Sequence, residues 1–177
     1  MIYPIRTERL SISPLAYADL DEFVAYRQDP QVARFQGWDT SYSKEQALQL
    51  LAAQENVDLP NPGNWLQLAL HKTETQQLVG DLALHRMPGE QAAFELGFTL
   101  ATLHQGNGYA KEGLAALMAA LTAGVAANKF IAHTDRRNLP AARLLASLEF
   151  VQVLEGSWTE EFKGESVLVD CYEKTAA

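Results

Sequence analysis

From Glu8 to Pro14 apolar and polar residues alternate, with Leu10 and Ile12 on one face and Pro14 closing the run, so the period of two predicts a strand. Between Tyr17 and Gln28 the pattern changes. Leu20, Phe23 and Val24 take helical spacing, and Asp19, Asp21 and Glu22 fall in the first turn, where the helix dipole favours acids. Asp29-Pro30 ends this helix. After a turn at Phe35-Gln36-Gly37-Trp38, Ser43-Lys44-Glu45-Gln46 has the form of a capping box. It opens a helix whose inward face is Ala47, Leu50 and Leu51, and Pro60-Asn61-Pro62-Gly63 follows as a loop.

Residues 65–71, 78–87 and 92–100 read as three strands separated by polar turns at 73–76 and 88–91, short enough to imply an antiparallel meander. A long helix follows residue 108, with Leu114, Leu117, Met118, Leu121 and Val125 on one face. Residues 129–134 predict a strand, 139–148 a helix, and 150–158 and 166–173 two final strands. The order β-α-α-β-β-β-α-β-α-β-β describes a mixed α/β fold, a mixed sheet with helices packed on it. With no repeat, low-complexity tract or linker, residues 1–177 form one expected domain.

Composition sharpens this reading in three ways. Apolar residues at 47% and charged residues at 20% fit one buried core rather than disorder. Fourteen Lys and Arg against 22 Asp and Glu give a net charge of −8, which argues against nucleic-acid and anionic-membrane partners. Neither a leader nor an apolar run of membrane-spanning length is present, so a cytoplasmic location is expected. The single Cys171 allows no internal disulfide and reads as packed rather than nucleophilic. His71, His85, His104 and His133 are scattered without i, i+4 pairing, so no metal site is expected, and Trp65 is assigned to the core.

Candidate chemistry concentrates at Gln105-Gly106-Asn107-Gly108-Tyr109-Ala110, between a strand and the long helix. Such a loop aims several backbone N–H groups at one point, and Gly106 and Gly108 let the chain approach a bulky anion. Two glycines can equally just cap a helix. Lys111 stands where a dinucleotide fingerprint needs a third glycine, and the Gly-Lys-Ser/Thr ending of a nucleotide phosphate loop is absent.

The stretch His104-Gln105-Gly106-Asn107-Gly108-Tyr109-Ala110-Lys111-Glu112, with its Gln105-x-x-Gly108-x-Ala110 core, resembles the pyrophosphate loop of the GNAT superfamily of N-acetyltransferases. Thr7-Glu8-Arg9-Leu10 with Pro14-Leu15, and Asp29-Pro30-x-Val32, are similar to the opening of the branch that acetylates ribosomal-protein N-termini (the alanine acetyltransferase-like branch). Asn138-x-x-x-x-Arg143-Leu144-Leu145, ending at Phe150, resembles the family's second coenzyme-binding helix.

The resemblance implies an acyl-CoA N-acyltransferase fold and acetyl-CoA as cosubstrate. Main chain at Phe98, Thr99 and Leu100 would hold the pantetheine arm, and backbone N–H groups of Gln105, Gly106, Asn107, Gly108, Tyr109 and Ala110 the pyrophosphate. Asn138 would reach the pantetheine or adenosine side. Arg143 would approach phosphate or simply solvate its helix face. Arg136 and Arg137 allow the same two readings toward the adenosine 3′-phosphate. Glu95, inside the apolar strand segment Ala93-Phe94-Glu95-Leu96-Gly97-Phe98, takes the general-base position, directly or through water.

Three departures from the family pattern matter. Ala141 and Leu145 replace the serine and tyrosine of relatives, so proton donation to the leaving thiolate is left to water, the acceptor ammonium, Tyr109, Tyr172 or Ser147. Glu149 replaces the glycine that ends the helix before Phe150 with a positive φ. Phe35, Trp38, Tyr42 and Trp158, with Phe162, would line the acceptor groove or pack as core.

The expected reaction is attack of a neutral primary amine on the thioester. At pH 7 deprotonation costs an α-amine of pKa near 8 about 1 kcal/mol and a lysine roughly 4–5 kcal/mol, which favours a protein or peptide N-terminus as acceptor. The alternatives are a small amine such as a polyamine, amino acid or antibiotic, a coenzyme-binding module without turnover, or a purely structural domain. The chain is compatible with a monomer or a homodimer.

Overall fold

The computed structural model describes residues 2–90 and 92–176; Gln91, in the turn expected at 88–91, lies outside them. One eight-stranded sheet organises the fold, in the order β1-β2-β3-β4-β5-β6-β8-β7. Strands β1 (Ile5–Arg6) and β2 (Leu10–Pro14) form a hairpin, followed by a 3₁₀ turn and the helices α1 (Leu20–Arg27), α2 (Pro30–Ala33) and α3 (Lys44–Ala53). Strands β3 (Trp65–Lys72), β4 (Leu78–Arg86) and β5 (Ala93–Leu100) make the expected antiparallel meander. Helix α4 (Tyr109–Val125) crosses to β6 (Lys129–Asp135). Helix α5 (Leu139–Ser147) leads to the long hairpin of β7 (Val151–Phe162) and β8 (Glu165–Thr175).

Two elements were not expected from the pattern. β1 has only two residues, too few to show a period. Asp29-Pro30 does end α1, but it also starts α2: the Asp29 side chain accepts from the Gln31 N–H and Pro30 occupies the first turn, where a missing N–H costs nothing. The capping box at Ser43 and Gln46 forms as expected, with both reciprocal bonds. The final strands run longer than their apolar content suggested, because the β7 edge exposes most of its residues.

The two faces of the sheet bury different cores. On one, Leu66, Leu68, Leu70, Leu82, Leu84, Phe94 and Phe130 pack under Leu114, Leu117 and Leu121 of α4 and Leu145 of α5. Each fully buried leucine contributes about 1.5–3 kcal/mol, so this layer anchors α4 and fixes where its N-terminus points. On the other, Leu20, Phe23, Tyr26, Tyr42 and Ala47 cover Ala69 and Leu78. Within that layer Asp81 is fully buried, accepts from Tyr26 Oη and Gln67 Nε2, and pairs with Arg27.

Strand β5 pairs with β4 from Phe94 to Leu100, but its parallel pairing with β6 covers only Ala93–Lys129, Phe94–Phe130 and Glu95–Ile131. Beyond Glu95 the two strands part. The β6–β8–β7 unit continues the sheet on the other side of this fork.

Candidate active site

A cleft of about 310 Å³ occupies the fork, lined by Glu95, Leu96, Gly97 and Phe98 of β5 on one wall and His133, Thr134 and Asp135 of β6 on the other. Phe35, Gln36 and Gly37 approach from the loop after α2, and Trp158, Glu160 and Phe162 from β7. The loop and hairpin are tied together. Lys163, at the β7–β8 turn, donates to the carbonyls of Ala33 and Trp38, both at 2.6 Å.

At one end of the fork the chain leaves β5, passes a 3₁₀ turn at Thr102–His104 and enters α4. Gly106 and Gly108 both adopt left-handed φ, +75° and +80°, so the glycines serve here as backbone conformers. The Gln105 N–H, expected to join the phosphate donors, is instead taken by the Thr102 carbonyl at 3.3 Å, but among the described residues none accepts a hydrogen bond from the N–H groups of Gly106, Asn107, Gly108, Tyr109, Ala110 or Lys111. Nothing lies within 4 Å of the Cβ that Gly106 would carry. Six unpaired donors at the start of a 17-residue helix are what a diphosphate requires, so the residues fit coenzyme A.

The loop is held from behind by the β1–β2 turn. Glu112 accepts from Thr7 Oγ1, from the Arg9 N–H at 3.0 Å and from Arg9 Nε at 2.7 Å, while Arg9 Nη1 donates to the Asn107 carbonyl at 3.0 Å. The Arg9 guanidinium also lies 4.9 Å from the Tyr109 ring centroid. Burial pushes the Glu112 carboxyl up, but the bonds from Thr7 and Arg9 outweigh it and hold it below the usual glutamate range. Asn107 donates to the carbonyls of His104 and Gln105, and Gln105 Nε2 to that of Leu100 at 3.1 Å, tightening the turn from inside.

At the closed end of the fork two of the four histidines that looked scattered, His85 and His133, converge. His85 Nδ1 lies 3.0 Å from Glu95 Oε2 and His133 Nδ1 lies 2.8 Å from Glu95 Oε1. His85 stacks on Trp65 at 4.6 Å, and His133 meets the edge of Trp158 at 4.8 Å. Burial raises the Glu95 carboxyl, yet hydrogen bonds from His133 and His85 and their charge hold it below its ordinary value. Trp65 is therefore not core: it is half exposed and serves as a platform for His85.

His85 opposes Glu95 directly in the β4–β5 register, a pairing the short turn between those strands already hinted at. His133 gave no such signal. It arrives from a strand beyond the whole of α4.

The remaining candidates divide. Phe35, Trp158 and Phe162 line the cleft, whereas Trp38 and Tyr42 do not. Trp38 and Tyr42 wrap the buried Arg27 guanidinium at 3.7 and 5.0 Å, and Trp38 Nε1 donates to the Arg27 carbonyl. Phe98 lines the cleft, its carbonyl accepting from Gln36 Nε2 at 3.5 Å, whereas the Thr99 side chain is buried, Leu100 packs against the α4 core, and neither lines the cleft. Asn138 lines the cleft too, although its Oδ1 caps α5 by accepting from Ala141 N–H at 3.3 Å.

Arg143 is exposed on α5 and away from the cleft lining. Arg136 is committed to Asp170, and Arg137 to Asp135 and Glu165, which favours the solvated-turn reading for both. Of the proposed thiolate donors, Tyr109 sits under Arg9, Tyr172 belongs to the α4-side core, and Ser147 bonds the Leu144 carbonyl; none lines the cleft. Cys171 is buried, as expected, and burial pushes its thiol up.

Comparison with known proteins agrees with this geometry. The family model described as an acetyltransferase (GNAT) domain matches residues 9–151. An uncharacterized N-acetyltransferase, p20 of Bacillus licheniformis, is 25% identical over 166 residues, covering 94% of this chain and 91% of the relative. The spermidine N-acetyltransferase of Vibrio cholerae, solved with CoA and spermine, superposes with a TM-score of 0.80 at 17% identity, covering 96% of each chain. A Vibrio cholerae protein provisionally named a ribosomal-protein-serine acetyltransferase superposes with a TM-score of 0.79 at 21% identity, covering 99% of this chain and 100% of the other.

Proposed function

The chain belongs to the acetyltransferase (GNAT) domain family, and from that membership we propose that it transfers the acetyl group of acetyl-CoA to the α-amine of a protein or peptide N-terminus. The observation that carries this reading is the fork itself: β5 and β6 part immediately after Glu95, beside six unpaired N–H groups at the start of α4. Those amides, from Gly106 to Lys111, would hold the pyrophosphate, and the edge of β5 beyond Glu95, where Gln36 Nε2 and Gln105 Nε2 now bond the Phe98 and Leu100 carbonyls, would present main chain to the pantetheine arm. Acetyl-CoA supplies the thioester. The protein supplies alignment and a place for the proton.

The amine would approach from the side of Phe35, Trp158 and Phe162. The lining carries the acids Glu95, Asp135 and Glu160 and no lysine or arginine, so a cationic acceptor is attracted and meets no lysine or arginine there to repel it. An α-amine, which costs about 1 kcal/mol to deprotonate at pH 7, asks less of whichever base the cleft supplies than a group of pKa above 10.

A small cationic amine is the second reading, favoured by the same acidic lining and by the spermine held in the Vibrio cholerae neighbour. Thiol release from acetyl-CoA, measured with peptides of varied N-terminal residue and with polyamines, separates the two. The α-amine reading predicts kcat/KM for the preferred peptide at least about 10-fold above any polyamine, whereas the reverse order establishes the second. Tight coenzyme binding with no release from any amine would leave a binding module.

A further inference from the structure

Glu95 is poorly placed to take a proton itself. Each of its oxygens already faces an imidazole nitrogen, Oε2 that of His85 and Oε1 that of His133. Each keeps an Nε2 without a hydrogen-bond partner among the described residues, so what separates them is the cleft. His133 lines the cleft, and its Nε2 has no hydrogen-bond partner among the described residues and is not a buried atom. His85 lies outside the lining, pressed against Trp65. We infer that the imidazole of His133, rather than the carboxylate of Glu95, removes the proton from the acceptor amine, with its Nδ1 held by Glu95 and its Nε2 open to the cleft.

The chemistry follows from that orientation and rests on the acetyl-transfer reading above. A carboxylate accepting from Nδ1–H fixes the tautomer whose lone pair is on Nε2, and its charge stabilises the imidazolium once formed. The ammonium of the acceptor gives one proton to Nε2, directly or through one water, and becomes a neutral amine. Its nitrogen bonds the acyl carbon, the carbon–sulfur bond breaks with its electron pair on sulfur, and the second N–H proton passes to that sulfur. The imidazolium then returns its proton to water. No tyrosine or serine donor is needed, in keeping with Ala141 and Leu145 and with a cleft lining free of either residue type. His85 is a positioning residue: it occupies the second oxygen of Glu95 and so directs the first toward His133.

Other titratable groups face this pair. They are Cys171, the cross-strand neighbour of His133 on β8, with its thiol pushed up by burial; Glu160 on β7, which accepts from Trp158 Nε1; and Asp135 on β6, paired with Arg137. None stands between His133 and the cleft with a hydrogen bond to its ring.

His133→Asn tests the assignment, because its amide can still donate to Glu95 while the cleft-facing nitrogen is gone. The expected result is a fall in kcat/KM of about 100-fold or more, loss of the acid limb of the pH–rate profile, and a coenzyme A Kd within about twofold of the wild type. In Glu95→Gln the acid limb should survive, because the imidazole that produces it is still present. Added imidazole should restore part of the activity of His133→Ala. The assignment is overturned if His133→Asn keeps its limb and rate while Glu95→Gln loses the limb, for the carboxylate is then the base. Absence of thiol release from the wild type with every amine tried would instead overturn acetyl transfer, and this assignment with it.

Discussion

At the α4 end of the cleft the groups aimed inward are main-chain amides, presented by Gly106 and Gly108 and braced by a guanidinium–carboxylate clamp between Arg9 and Glu112. At the opposite end they are side chains, His85, Glu95 and His133, brought from three strands to one point. The first end depends on conformation, so any residue that preserves the left-handed turns and the helix start would serve. The second depends on register, because a slip of one residue in β4, β5 or β6 would turn its member of the cluster to the other face. Affinity should therefore respond to changes at the loop and turnover to changes at the cluster, with little crossing between them.

The largest effect that separates the two ends should come from Gly108→Val. A β-branched residue resists φ of +80°, so the loop must rearrange and the coenzyme A Kd should rise by about 100-fold or more in calorimetry, with the circular-dichroism spectrum of the fold retained. Unchanged binding would break the comparison at once. Lys163→Ala comes next and acts on the acceptor side. Removing the ammonium that ties the hairpin to the Ala33 and Trp38 carbonyls should raise the amine KM by about 5–10-fold while leaving the coenzyme Kd alone, which steady-state kinetics at fixed acetyl-CoA would read.

Arg9→Ala should weaken coenzyme binding by roughly 3–10-fold through the loosened loop, with kcat preserved. Its partner adds a pH signature. Because the Glu112 carboxyl is lower in the folded protein than in the unfolded chain, its stabilisation is present above the ordinary glutamate range and is lost as pH falls through the folded value. The thermal-midpoint gap between the wild type and Glu112→Gln should accordingly close in acid. The smallest effect is expected at Glu149, which holds φ of +65° where α5 ends, its side chain paired with Lys174. Glu149→Gly should raise the thermal midpoint by about 2–4 °C without changing either Kd or turnover.

The contrast between the ends also explains what could be read from the sequence. Gly106, Gly108 and the helix after them are local, so the loop was visible as a run of residues, and the meander and capping box were visible for the same reason. Thr7-Glu8-Arg9 was visible as a pattern, but its service to Glu112 was not, since 103 residues separate Arg9 from that carboxylate. Glu95 stood out as an acid in an apolar strand. His133 could not be joined to it, because parallel pairing across α4 leaves no fixed offset to count. Trp38 and Tyr42 could not be assigned between groove and core for a related reason: the aromatic loop after α2 turns inward to enclose Arg27, whose burial beside Asp81 depends on packing between layers.

The most direct test of the central claim is an amide-resolved titration of the ¹⁵N-labelled protein with coenzyme A. The account predicts that the N–H resonances of Gly106, Asn107, Gly108, Tyr109 and Ala110 shift furthest and saturate together, while those of His85 and His133 move little until an acceptor is added. Saturable binding that leaves the five loop amides where they were would contradict it.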